Sequence, residues 1–207
     1  IQGPPGTGKT FKMAGLIASL LKSNKSVLVT ALTNEALRVL ASKDDIKPYL
    51  SAGKVTKTSL TIDEKRALPS LEANNDNSCN ATSGNLSLAT FYIASSWAKT
   101  TWEVQPFDYV IVDEASQALL PMLAASRKLG KKVIWIGDQN QLAPIVQVNE
   151  DILASHGWSQ IVKGFDTICN NFSLPSFMLT DTYRLTKRCA NFTGLFYGNE
   201  LNSVSEI

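Results

Sequence analysis

Residues 3–10, Gly3-Pro4-Pro5-Gly6-Thr7-Gly8-Lys9-Thr10, satisfy the pattern G-x-x-x-x-G-K-[ST] in full. Each residue type has a task at that spacing. The glycines let the backbone curl until its N–H groups face inward on phosphate oxygens, and a helix behind the loop adds its positive end. Lys9 reaches the β- and γ-phosphates as a compact charge, and the Thr10 hydroxyl is a ligand for Mg²⁺. Downstream, Asp113-Glu114 follows the apolar run Tyr109-Val110-Ile111-Val112. Adjacent carboxylates at the end of such a strand divide the labour. Asp113 holds Mg²⁺ through its water shell, and Glu114 polarises the attacking water. Gly137-Asp138-Gln139-Asn140-Gln141-Leu142-Ala143-Pro144 follows another apolar run, and a glutamine there senses a γ-phosphate without adding a competing charge. The three segments together imply chemistry on nucleotide phosphates.

These residues need elements to hold them. Met13, Leu16, Ile17, Leu20 and Leu21 recur at three- and four-residue spacing, which predicts a helix with one buried face directly behind the loop. Val27–Leu32 is an apolar run of strand length, suited to a sheet covered on both faces. Ala36, Leu37, Val39 and Leu40 predict another helix. The pattern weakens after Lys43, and Glu72–Asn85 is rich in Asn and Ser, so residues 41–86 read as an exposed insertion or loop. Order returns at Ser87–Ser96 and at the strand Tyr109–Val112. A helix over Ala118–Leu129 follows, ended by Gly130, and then a strand over Val133–Ile136. Strands alternating with helices predict a mainly parallel α/β sheet with helices on both faces. A phosphate loop ordinarily follows a buried strand, and Ile1-Gln2 leaves at most two residues for it, so a piece of a longer chain is expected.

Composition narrows the classes. The 207 residues are 44% hydrophobic, enough for one domain with a core. Lys and Arg number 20 against 18 Asp and Glu, so a nucleic-acid partner would be held by a local patch. Cys79, Cys169 and Cys189 lie far apart with no CxxC, and His156 is the single histidine, which excludes a zinc ribbon and disfavours a disulfide framework. Four N-glycosylation patterns, at Asn80, Asn85, Asn171 and Asn191, read as chance in the absence of a secretory signal. No apolar run reaches 18 residues. The reading is an intracellular protein, cytoplasmic or nuclear.

GPPGTGKT, then VDEASQ (Val112–Gln117), then GDQNQLAP (Gly137–Pro144) resembles motifs I, II and III of superfamily-1 helicases, in that order. The DEASQ form is similar to the branch that contains the RNA-surveillance helicase of nonsense-mediated decay. The resemblance implies a RecA-like domain that binds ATP with Mg²⁺ and single-stranded RNA or DNA. Residues 1–180 would form the first RecA-like domain, and 181–207 would lead into a second that supplies a catalytic arginine. Thr30–Ala36 resembles motif Ia, with Leu32 where the family has proline, and this implies Thr33 and Asn34 as backbone contacts to nucleic acid; Ala89-Thr90 implies Thr90 as another. Thr182-Tyr183-Arg184 resembles motif IV, with Thr182 departing from the usual Asn or Gln. It implies Tyr183 stacked on the base of ATP and Arg184 on the γ-phosphate. Phe192, Leu195, Phe196 and Leu201 read as core or docking surface, and Trp97 and Trp102 as cover for a hydrophobic edge. Two other readings stay open on the residues alone: a nucleotide-dependent nucleic-acid-binding module without motor activity, and another P-loop ATPase acting on protein.

Overall fold

Short apolar runs become strands here and amphipathic segments become the helices that cover them. The computed structural model describes residues 1–74, 78–102 and 104–205. In α1 (Lys9–Lys22), Met13, Ile17 and Leu21 are buried along one face. β1 (Val27–Ala31) is buried at every position. α2 (Asn34–Ala41) starts at Thr33, whose hydroxyl accepts a hydrogen bond from Ala36 N at 3.2 Å, and turns Leu37 and Leu40 inward. Next come α3 (Lys47–Ser51), β2 (Val55–Lys57), α4 (Ile62–Ala67), β3 (Glu72–Ala73) and β4 (Leu86–Thr90). α5 (Phe91–Thr100), β5 (Phe107–Val112), α6 (Leu120–Leu129) and β6 (Gly130–Trp135) complete the sheet and its cover.

The sheet has six strands in the order β3-β2-β4-β1-β5-β6, and every pairing is parallel. Alternate residues of the central strands feed two cores. Val27, Val29 and Ile111 pack with Met13, Ile17, Leu37 and Leu40 on one face. Leu28, Val110 and Val112 pack with Phe91, Trp97, Leu123 and Leu129 on the other. Beyond β6, Ile1 N donates to Trp135 O at 2.7 Å, and Gln2 makes parallel bridges to both Gly137 and Met178. Gln2 therefore sits in the next strand position, and residues 3–10 leave the sheet at the edge where β5 and β6 also end.

Residues 143–205 lie outside that sheet. They carry α7 (Glu150–Ser155), α8 (Ser159–Val162), α9 (Gly164–Asn171), β7 (Asp181–Thr182), α10 (Lys187–Gly194) and β8 (Asn202–Ser203). α9 buries Phe165 and Ile168 in the second core, while β7 and β8 form a separate two-stranded parallel sheet.

Two expectations need correction. Residues 41–73 are not a loop, whereas the described residues 78–85 carry neither helix nor strand. Val55–Lys57 pairs with β4 and Thr56-Lys57 with β3, so this stretch builds one side of the sheet. Its strands have three and two residues, too short to show a period, and a buried ion pair ties β2 to α4. Lys57 Nζ lies 3.2 Å from Glu64 Oε1 and donates to Ser59 O at 2.6 Å, while Glu64 Oε2 accepts from Thr61 N at 2.8 Å. Gly130 ends α6 as expected, in an extended conformation (φ −119°), and opens β6 at once. A Cβ there would lie 2.6 Å from Val110 Cγ2, so glycine permits the close approach of β6 to β5. Second, Trp97 is buried as expected, but Trp102 is 98% exposed and covers nothing. Leu201 is buried, whereas Phe192, Leu195 and Phe196 lie on the surface.

Candidate active site

The phosphate loop gets its shape from glycine and its anchorage from neighbouring strands. Gly6 and Gly8 both adopt left-handed backbone (φ 75° and 72°), which costs other L-residues about 1–2 kcal/mol. Gly3 N donates to Gly137 O at 2.9 Å, tying the start of the loop to the end of β6. Thr7 is fully buried and turns its hydroxyl back onto Pro4 O at 2.8 Å, so it shapes the loop from within. α1 begins at Lys9, capped by Gly8 with no side-chain hydrogen bond and no acidic residue in its first turn, so its N–H groups and positive end suit an anion. Lys9 Nζ donates to Gly3 O at 2.5 Å. Burial lowers the pKa of Lys9 below the ordinary lysine value, against the opposing pull of Asp138, Asp113 and Glu114.

The acidic pair stands where β5 ends. Asp113 is 6% exposed, and its Oδ1 accepts from Glu114 N at 3.0 Å. Burial raises its pKa to about 6, the neighbouring charge of Glu114 adds to the rise, and Glu114 N and Lys9 oppose it. Glu114 itself is left-handed (φ 51°, ψ 41°), a strained backbone state for a non-glycine residue that turns the chain sharply after Asp113. Ala115 N then donates to Ile136 O at 2.8 Å, which fixes this turn against the end of β6.

Gln141 is held by its own segment: its Nε2 donates to Asp138 Oδ2 at 2.9 Å. The Thr182–Arg184 segment is clipped onto the phosphate loop. Thr182 Oγ1 donates to Pro5 O at 3.0 Å, and Tyr183 N donates to Gly6 O at 2.9 Å. The residue that departs from the family pattern is thus fully buried and performs the docking. A cavity of about 770 Å³ results, lined by Pro5, Gly6, Thr7, Gly8, Lys9 and Thr10 of the loop together with Glu114, Gln141 and Arg184. Asp113 is buried beside it. The Tyr183 ring, 58% exposed, stands 3.9 Å from where a Cβ on Gly8 would be.

The family model described as AAA domain matches residues 1–156. The chain belongs to that family. Among curated relatives, it is 30% identical over 97% of its length to the DNA replication ATP-dependent helicase/nuclease DNA2 of Saccharomyces cerevisiae, and spans 13% of that protein. It is 26% identical over its full length to the DNA polymerase alpha-associated DNA helicase A of Schizosaccharomyces pombe, spanning 37% of it. Among solved structures, the arterivirus nonstructural protein 10 (helicase) in complex with DNA matches all of this chain and 41% of its own, with a TM-score of 0.54 at 19% identity. That likeness shows a shared fold, and the parallel sheet with both faces covered agrees with the RecA-like expectation.

Not every candidate of this AAA domain enters the cavity. Gly3 and Pro4 are buried beneath the loop. Thr33 and Asn34 are exposed at the start of α2, and Thr90, paired with Ala31, ends β4. These three share the carboxyl edge of the sheet with the loop but stand apart from the cavity. Thr33 caps α2, and Thr90 precedes α5 without a side-chain capping bond. Asp138 and Tyr197 were not singled out by sequence reasoning. Asp138 is 1% exposed, and Tyr197 OH donates to its Oδ2 at 2.7 Å. Asp138 lay inside the quoted segment Gly137–Pro144, but its pairing with Tyr197 across 59 positions leaves no trace in spacing. Among the described residues, no disulfide forms and no helix is long and apolar enough to cross a membrane.

Proposed function

We propose that this AAA domain is the ATP-binding motor domain of a superfamily-1 helicase, hydrolysing Mg-ATP to move along or unwind RNA or DNA. The observation that carries the reading is the meeting of Lys9, Thr10, Glu114, Gln141 and Arg184 around one cavity of about 770 Å³, with Asp113 buried beside it. Lys9 binds the β- and γ-phosphates together with loop N–H groups, Gln141 and Arg184 engage the γ-phosphate, and Tyr183 stacks on the base. Glu114 orients the attacking water and accepts its proton.

The residues fit Mg²⁺. Among the described residues no cluster of three or more His, Cys, Asp or Glu could hold a metal. Mg²⁺ needs no such cage, because it keeps waters and takes phosphate oxygens as ligands. Thr10 and Asp113 would hold it, and when bound it supplies neutralisation of phosphate charge.

Thr33, Asn34 and Thr90, on the same sheet edge, would contact the single strand. A second RecA-like domain, reached through residues 181–207, would close over the site formed by residues 1–180. Its arginine would be worth roughly 10³ to 10⁵ in rate. The segment Val112–Gln117 supports membership of the branch containing the RNA-surveillance helicase, and a cytoplasmic or nuclear setting suits that role.

The test is ATP hydrolysis by a protein carrying both domains, with and without single-stranded RNA or DNA. Turnover stimulated by one strand is expected. Lys9→Ala abolishes it, and Glu114→Gln binds ATP without turning it over. Normal turnover in Glu114→Gln removes the proposed base, and indifference to both strands removes the motor reading.

A further inference from the structure

We propose that Tyr197 is a positioning residue for Gln141, acting through Asp138 to hold the glutamine amide in the orientation that reads a γ-phosphate. This rests on the reading of Gln141 given above. Tyr197 OH and Gln141 Nε2 converge on one oxygen, Asp138 Oδ2, at 2.7 and 2.9 Å. The other oxygen, Oδ1, accepts from Asn140 N at 3.1 Å and Gln2 Nε2 at 3.4 Å. A carboxylate only accepts, so it selects the nitrogen end of the Gln141 amide and leaves the second N–H for an acceptor in the cavity. A phosphate oxygen needs that N–H, and a flipped amide would present its carbonyl instead. The direction of this one side chain therefore separates a triphosphate from a diphosphate.

The phenol matters because Asp138 is almost sealed from solvent at 1% exposure. Without Tyr197, Oδ2 loses its shortest hydrogen bond in a place that water enters poorly, and the carboxylate can rotate away from Gln141. Asp138 is also the carboxylate with the largest pull on Lys9. Tyr197 is itself 7% exposed and sits at the end of the turn Leu195–Tyr197, which is closed by Asn199 N donating to Gly194 O and Glu200 N to Tyr197 O. A second link runs beside the first, from Asn140 Nδ2 to Phe196 O at 2.8 Å. The segment containing these residues also holds the phosphate loop through Thr182 and Tyr183. Residues 181–203 thus clasp the two loops of the cavity at once, and Tyr197 is the contact that reaches Gln141.

The test uses this chain with Tyr197→Phe, which keeps the ring and removes the donor. ATP and ADP, each with Mg²⁺, are titrated by calorimetry, and thermal unfolding is followed in parallel. The preference for ATP over ADP is expected to fall about tenfold while ADP affinity is retained. The thermal midpoint is expected to move by only a few degrees, roughly the effect of one lost hydrogen bond. Gln141→Ala is expected to give the same loss, and the double variant no more than either alone. Loss in Gln141→Ala but not in Tyr197→Phe overturns the role of Tyr197 and leaves Gln141 standing. Equal weakening of ATP and ADP in Tyr197→Phe also overturns it, because the residue then supports the cavity as a whole. An unchanged preference in Gln141→Ala overturns the γ-phosphate reading, and this proposal falls with it.

Discussion

Replacing Asp113 with asparagine is expected to stabilise the metal-free chain at neutral pH. Asp113 is 6% exposed, and its pKa is raised from 3.8 to about 6, first by burial and then by the charge of Glu114. The folded state therefore holds the proton more tightly than the unfolded chain does. The protonated carboxyl favours folding fully below the unfolded pKa, and this contribution is lost as pH rises through the folded pKa. At 1.36 kcal/mol per unit, the interval from 3.8 to about 6 corresponds to a loss of about 3 kcal/mol when the group is fully ionised. The assay is urea unfolding of both proteins in chelator, from about pH 4 to about pH 7.5, with the stability difference taken at each pH so that other titrating groups cancel. The difference is expected to grow in favour of the asparagine variant by about 2–3 kcal/mol across that window. A flat difference, or one that favours the wild type as pH rises, would refute the claim that this carboxylate is destabilised in its site. Mg-ATP is then expected to stabilise the wild type more than the variant, since a cation relieves the buried charge.

Two other perturbations follow from the packing. Glu64→Ala strands the ammonium of Lys57, which is 1% exposed, and is expected to cost about 3–5 kcal/mol in urea unfolding. The double change Lys57→Met with Glu64→Leu recovers most of that loss, and a cost below about 1 kcal/mol for the single change would show the pair to be solvated. Gly6→Ala places a Cβ 2.4 Å from Arg184 Cβ and 2.7 Å from Thr182 Oγ1 at a φ of 75°. It is expected to weaken ATP binding at least about tenfold through displacement of the Thr182–Arg184 clip, and undiminished affinity in calorimetry would show that the clip does not shape the cavity.

The chemistry-bearing segments were legible because their information is local. A loop that wraps phosphate needs glycines at fixed offsets from Lys9 and Thr10, and the left-handed backbone at Gly6 and Gly8 is the reason. Asp113 and Glu114 stood out by following the apolar run Tyr109–Val112, and the segment carrying Gln141 by following the apolar run Val133–Ile136. The central strands and α1 were equally visible, since two-faced burial leaves a short unbroken apolar run and a helical stripe leaves a period in the chain.

Tertiary structure alone decided the rest. β2 and β3 are strands because β4 offers an edge to pair with, and no property of Val55–Lys57 by itself requires an extended form. Thr33, singled out in the sequence only by its resemblance to motif Ia, is exposed and caps α2. Thr182 looked like a departure from a motif, yet its hydroxyl docks Tyr183 and Arg184 on the phosphate loop. Asp138 and Tyr197 meet from positions 59 residues apart. Periodicity and spacing report what a residue does to its near neighbours along the chain. A hydrogen bond between distant loops depends on how the sheet brings their ends together, and that information exists only in the folded molecule.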